Sequence, residues 1–147
     1  MAIYFYKEFG DLGYLATYSQ HGFIKDGIYW KTVEHYYQAN KFVEDEVRNL
    51  VINAETPKIA SAIGRNRNYK IRDDWEQVKN EIMYNAVLAK FLAHPNLAEK
   101  LIATGNEEIV EETVKESYWG CGPKKDGLNI YGKILCKVRE DLKKLSK

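Results

Sequence analysis

Within the segment WKTVEHYYQANKF, Glu34, Gln38 and Lys41 are spaced i, i+4 and i+7. In a helix that spacing puts a carboxylate, an amide and an ammonium on one face. Their neighbours Val33, Tyr36, Tyr37 and Phe42 are apolar or aromatic, so little of this helix looks built for open water. Glu34 would be the second residue of the helix, where the macrodipole favours a carboxylate by roughly 0.3–1 kcal/mol. Burial among aromatics opposes that charge. Such a group suits a base or an electrostatic stabiliser better than a proton donor. The same spacing also describes a solvated face carrying a weak Glu–Lys pair.

Two further clusters could bind an anion. Arg65, Arg67, Lys70 and Arg72 follow Gly64 and precede Asp73-Asp74-Trp75. They could grip a phosphate or pyrophosphate beside a helix end. Arg67 and Lys70 read more simply as a charged surface connector. Arg65, directly after the glycine, is the stronger phosphate candidate. Trp75 reads as core by periodicity. From Glu116 to Gly132 the chain carries glycines at 120, 122, 127 and 132. Asn129 would cap the final helix, whose N-terminus would offer free N–H groups to an anion. The glycine spacing is neither a Walker A nor a dinucleotide fingerprint, and by spacing alone the loop reads as structural.

The elements that must position these residues follow from local signals. Ile3 to Tyr6 is a β-prone run, and Gly22 to Trp30 holds two short apolar runs around Asp26-Gly27, a hairpin signal. Thr32 caps a helix expected to run to about Glu44, followed by a short helix over 45–52. Thr56-Pro57 opens a helix that stops at Gly64. Asp74, with Gln77 three residues on, opens a long helix bearing Trp75, Val78, Ile82, Ala86 and Ala89 on one face. Val87, Leu88, Phe91 and Leu92 widen its apolar arc. Pro95 ends that helix and a shorter one follows over 96–103. Glu107 to Thr113 reads as a brief strand. A last helix starts near Asn129 with a stripe of Ile130, Ile134, Val138 and Leu142. The expected fold is α+β and predominantly helical, a single domain over residues 1–147 with a small sheet at its N-terminal end.

Composition sets the outer limits. With 147 residues, 45% hydrophobic and 29% charged, the chain is of ordinary globular make-up. Eleven Tyr and three Trp fit either a pocket for a planar ligand or a Tyr-rich core. A formal net charge of +1 gives no global field for duplex nucleic acid. Cys121 and Cys136 match no zinc spacing, and His21, His35 and His94 are scattered. No metal or other cofactor is expected. The N-terminus lacks the character of a signal peptide and no apolar run reaches membrane-spanning length, so a cytoplasmic protein with reduced thiols and no membrane partner is expected.

Taken in order, the segments resemble the NADAR (YbiA-like) family. They are IYFY with GYLATYS, WKTVEHYYQANKF, ETPKIASAIGR, DDWEQVKNEIMYNAVLAKF, LIATGNEEIVEETVKESYWGCG and GLNIYGKILCKVRE. The resemblance covers nearly the whole chain and implies an N-glycosidase that cuts a ribose–base bond. It implies a phosphoribosyl or ADP-ribosyl small-molecule substrate: a phosphoribosylamino-pyrimidine of riboflavin synthesis, or ADP-ribose on guanine in nucleic acid. It also implies roles for Glu34, Lys41, Trp75 and Glu116. At Glu116 the family usually has Asp, and the longer side chain displaces the charge by roughly 1.5 Å. By the two-carboxylate logic of glycosidases, Glu34 would steady the developing cation or activate water while Glu116 helps the leaving nitrogen. Lys41 would bind ribose or phosphate, or form a Schiff base. Trp75, with Trp119 or Tyr36, would stack on the base, Arg65 would hold phosphate, and Gln38 and Asn129 would complete the binding set. A non-catalytic module binding ADP-ribose or a related nucleotide would use the same residues.

Overall fold

The computed structural model describes residues 1–146. In chain order its elements are β1 (Ala2–Phe5), β2 (Phe23–Lys25), β3 (Ile28–Trp30), α1 (Val33–Ala39), α2 (Asp45–Ile52), α3 (Pro57–Gly64), α4 (Trp75–Ala93), α5 (Pro95–Ala103), β4 (Glu108–Glu111) and α6 (Ile130–Leu145). A short 3-10 turn spans Gly13–Leu15. This is the helix-dominated α+β fold that the patterning implies. The chain forms two compact units, Gln20–Ala93 and the pair of segments Met1–Ser19 with His94–Lys147.

In the unit Gln20–Ala93, β2 and β3 form an antiparallel hairpin in which Lys25 pairs with Ile28. Asp26 and Gly27 between them have φ of 55° and 76°. Two positive φ values give the turn whose twist matches paired strands, as Asp-Gly favours. Thr32 caps α1 by accepting from the His35 N–H, and Thr56 caps α3 by accepting from Ile59, with Pro57 in the first turn.

Helix α1 ends earlier than its sequence suggests, at Ala39 rather than near Glu44. Lys41 and Phe42 then close tight turns onto Gln38 and Ala39. Phe42 forms an antiparallel bridge with Ile71, and the Arg72 N–H donates to Lys41 O at 2.7 Å. A long-range backbone partner thus replaces further helical turns.

His35 pins this helix from inside. It is fully buried, with Nε2 3.0 Å from Ala54 O and Nδ1 2.7 Å from Thr32 Oγ1. A carbonyl only accepts, so Nε2 carries the proton and Nδ1 accepts from the Thr32 hydroxyl. Lys31 Nζ donates to the same Ala54 carbonyl at 2.8 Å.

On α4 the buried residues are Trp75, Met83, Ala86, Val87, Lys90 and Phe91. Met83 and Lys90 therefore join the expected face, while Leu92 turns outward. Lys90 is fully buried, and burial pulls its ammonium down to about 7. The Asp74 carboxylate before this helix is held by Arg72, with Nε–Oδ1 at 2.6 Å and Nη2–Oδ2 at 3.0 Å.

In the other unit, β1 pairs in parallel with β4, from Ala2–Glu108 to Phe5–Glu111. The small sheet is therefore not confined to the N-terminal end. Asn129 completes it: its Oδ1 accepts from the Glu111 N–H at 3.0 Å and its Nδ2 donates to Ile109 O at 2.9 Å. One amide thus answers β4 as a neighbouring strand would. Asn129 does stand at the N-cap of α6, where its carbonyl accepts from the Lys133 N–H at 3.0 Å, but its side chain makes no cap bond to the helix and its backbone is left-handed, with φ 52°. A side chain on Gly132 would overlap Ile109 O, so α6 lies against β4 only because that position is glycine. The buried stripe of α6 is Tyr131, Leu135, Val138 and Leu142, with Arg139 beside it. It lies one position on from the expected Ile130 and Ile134.

Both anchors, Asn129 and His35, can be tested. Asn129→Ala loses two hydrogen bonds of about 1 kcal/mol each and forces a left-handed backbone costing roughly 1–2 kcal/mol. A drop of about 3 kcal/mol is expected in denaturant unfolding, with Asn129→Gly losing less because it accepts that φ. For His35, burial is the main cause that holds the imidazole below its ordinary value; the Ala54 carbonyl opposes this and Lys31 adds to it. A depressed folded value means that this stability is present above about 6.5 and is lost as pH falls through the lower folded value. The melting temperature of the native protein should accordingly fall faster below about pH 6.5 than that of His35→Gln.

Candidate active site

Glu34 lies in the first turn of α1 and is 7% exposed. Its Oε2 accepts from Gln38 Nε2 at 2.6 Å, the i, i+4 partner on its own face. Gln38 is equally buried. The early end of α1 takes Lys41 off the helix, yet its ammonium returns to the same region. Lys41 Nζ donates to Gly64 O at 3.3 Å and stands 5.6 Å from the Tyr37 ring centroid and 5.9 Å from that of Trp75. Tyr37 and Trp75 meet edge to face at 5.1 Å. The cation thus rests between two aromatic rings.

The electrostatics of Lys41 join the cluster together. Burial is the main cause that lowers its proton affinity; Glu34 works the other way, and Arg65 and Lys79 push it down further. Arg65 follows α3, is exposed, and donates to Ser61 Oγ one turn back. Arg67 and Lys70 are exposed on the connector that follows.

Tyr36 does not face this cluster's rings. It packs on the hairpin, 5.0 Å from Trp30 and 6.0 Å from Phe23 between ring centroids. Its neighbour Tyr37 takes the place beside Trp75. That exchange was open to helical spacing, since Tyr37 is three residues from Glu34 and Tyr36 only two.

Glu116, Trp119 and Asn129 form a loop cluster in the other unit. The Glu116 carboxylate accepts from the backbone N–H of Trp119, and from that of Gly120 at 3.3 Å. Trp119 is half-buried and meets Tyr118 edge to face at 5.0 Å. The same loop closes the start of α6. The Ile130 N–H donates to Tyr118 O at 3.0 Å and the Tyr131 N–H to Trp119 O at 2.9 Å. Two of the expected free N–H groups at this helix start are therefore taken by loop carbonyls.

An N-glycosidase of Nostoc punctiforme is 46% identical over 148 residues, covering 99% of this chain and 95% of that protein. A maize protein named chloroplastic riboflavin biosynthesis protein PYRR is 36% identical over 155 residues, covering 95% of this chain and 25% of its own length. The NMR structure of Escherichia coli YbiA superposes with a TM-score of 0.91 at 36% identity, covering 99% of this chain and 88% of that one. The NADAR domain model matches residues 4–143, which include the Glu34 helix, the Arg65 connector, Trp75 and the Glu116 loop. With that match running from β1 into α6, the chain belongs to the NADAR family.

Proposed function

We propose that this N-glycosidase hydrolyses the bond between a ribose C1 and a base nitrogen, with Glu34 as the carboxylate that meets the reaction's positive charge. The observation that carries this reading is a buried carboxylate, oriented by Gln38, in one cluster with Lys41, Tyr37 and Trp75. As the C1–N bond breaks, positive charge grows at C1 and negative charge on the departing base. A carboxylate held in place can stabilise the first or take a proton from the attacking water. Water oxygen bonds to C1, the nitrogen leaves with a proton, and the products are a free sugar and the base.

Lys41, as an ammonium, would hold ribose hydroxyls or phosphate, and Arg65 would hold phosphate beside it. Trp75 and Tyr37 would offer ring surface to a planar base. Glu116, whose oxygens face backbone N–H groups, would shape the loop that carries Trp119 rather than transfer a proton. We favour a phosphoribosylamino-pyrimidine as substrate, in line with the riboflavin-pathway name of the maize relative. A second reading, ADP-ribose on guanine, is supported by the exposed Arg65, Arg67 and Lys70, which could follow a nucleic-acid backbone.

The deciding experiment incubates the protein with phosphoribosylamino-pyrimidine and with DNA carrying ADP-ribosylated guanine, and measures released sugar. Release of ribose 5-phosphate from the first is expected. Release of ADP-ribose alone would select the second reading, and saturable binding without either product would make the chain a nucleotide-binding module. In the active reaction Glu34→Gln should keep its melting temperature and lose about 10²–10⁴-fold in kcat. Wild-type turnover by that folded variant would remove Glu34 from the mechanism.

Lys41 has its own test. If the ammonium is the working form, kcat/KM should fall as pH rises through its lowered value, and borohydride added during turnover should trap nothing. A covalent adduct at Lys41 would instead establish an imine route, in which the neutral amine attacks C1, the base nitrogen leaves with a proton, the ribose ring opens to the imine, and water then hydrolyses it to the free sugar and the amine.

A further inference from the structure

Gly64 touches both Gln38, which hydrogen-bonds the Glu34 carboxylate, and Lys41, whose charge that carboxylate favours. It is the last residue of α3 and is buried. Its carbonyl accepts from Lys41 Nζ at 3.3 Å. On its other side, a Cβ would overlap Gln38 Oε1 and stand 2.6 Å from Cδ and 3.1 Å from Cβ of that residue. The Gln38 side chain therefore lies flat against a bare Cα. Its Nε2 is fixed on Glu34, while its buried Oε1 has no hydrogen-bond partner among the described residues. The bare Cα of Gly64 packs against this oxygen end of the amide. Turning the amide over would set Oε1 against the Glu34 carboxylate, so its one useful orientation depends on the space that the missing side chain leaves.

We propose that Gly64 is a positioning residue for the hydrolytic reaction. Its bare Cα seats the Gln38 amide and so aims Glu34, and its carbonyl fixes Lys41. This makes Gln38 a holder of the carboxylate rather than a substrate contact. The inference rests on the reading of Glu34 as the reacting carboxylate. Its backbone demands nothing of glycine: Gly64 ends a regular helix and is not among the positive-φ residues. Alanine there would favour the helix by up to about 1 kcal/mol were it not for Gln38.

The test compares Gly64→Ala, Gln38→Ala and the double variant. Gly64→Ala is expected to lower kcat at least tenfold, with KM changed less than threefold and a melting temperature lower by only a few degrees. Gln38→Ala should lose a similar factor. The double variant should match Gln38→Ala within about twofold, because shortening the side chain at position 38 removes the overlaps with Oε1 and Cδ, leaves only the 3.1 Å approach of the two Cβ atoms, and lets the two effects act through one contact. If Gly64→Ala does not fold, the double variant still decides the matter, since only the 3.1 Å approach of the two Cβ atoms remains there. A double variant that loses the product of the two single factors would overturn the proposal, as would Gly64→Ala with native kcat.

A readout without substrate separates this inference from the proposed reaction. In 1H–15N spectra the Gln38 side-chain amide should give slowly exchanging signals in the native protein, and Gly64→Ala should shift them and speed their exchange. Unmoved Gln38 signals would overturn the positioning role whatever the activity. If the native protein released no sugar while those signals moved as expected, the reaction would be wrongly assigned and the packing relation would stand.

Discussion

Helix α1 is buried along all seven of its residues, among them Glu34, His35 and Gln38. A polar group removed from water without a partner costs roughly 1–3 kcal/mol by mutational measure, and an unpaired charge costs more. Much of the unit around α1 can be understood as an answer to that demand. Thr32 and Ala54 complete His35, and Gln38 meets Glu34. Arg48 Nη1 reaches Ala39 O at 3.2 Å, taking one of the carbonyls left open at the helix end. The aromatic rings of Tyr36 and Tyr37 fill the remaining sides, one toward the hairpin and one toward Trp75. A helix this short could not exist alone in water. It exists because surrounding elements supply both its apolar contacts and its polar partners, and the same burial keeps its carboxylate in one orientation.

The glycine-bearing loop after β4 solves a different problem. Seen only as residue types, acid, tryptophan, glycines and a helix start resemble an anion site. In the folded chain these groups largely satisfy one another. Glu116 gathers the N–H groups of Trp119 and Gly120, while the carbonyls of Tyr118 and Trp119 close the first turn of α6. Asn129 faces back to β4. The loop is thus an organised support for a half-buried tryptophan, and its polar groups are mostly engaged in holding that shape.

Signals confined to a few neighbouring residues were legible from sequence. Asp26-Gly27 sets the hairpin, and Thr32 and Thr56-Pro57 set helix starts, because each acts through its own backbone conformation or a bond three residues away. The end of α1 was not legible. Asn40, Lys41 and Phe42 include no strong helix breaker, and the helix stops because Ile71 and Arg72 claim the backbone beyond it. The pairing of β1 with β4 is hidden for the same reason. The one-residue rotation at the start of α6 arises where Tyr131 and Leu135 turn inward in place of Ile130 and Ile134, and the amphipathic Arg139 is buried beside Val138. In the candidate site, helical spacing brought Glu34 and Gln38 together correctly. Lys41 reaches the cluster by a turn and a long side chain, and Gly64 could be found only by asking what fills the place of its absent side chain.

The pairing of β1 with β4 also orders events during synthesis. Residues 20–93 form a continuous stretch whose internal contacts can close as soon as it has left the ribosome. Residues 2–5 must wait until their partners at 108–111 emerge, about a hundred residues later. Closing so long a loop adds only about 0.6 kcal/mol for each doubling of its length, so the delay is kinetic more than energetic. In that interval Ile3 and Phe5 lack the strand that covers them in the finished protein. The strand made before β4 by about a hundred residues is thus secured only after it, and its aromatic residues stay unpaired until β4 arrives.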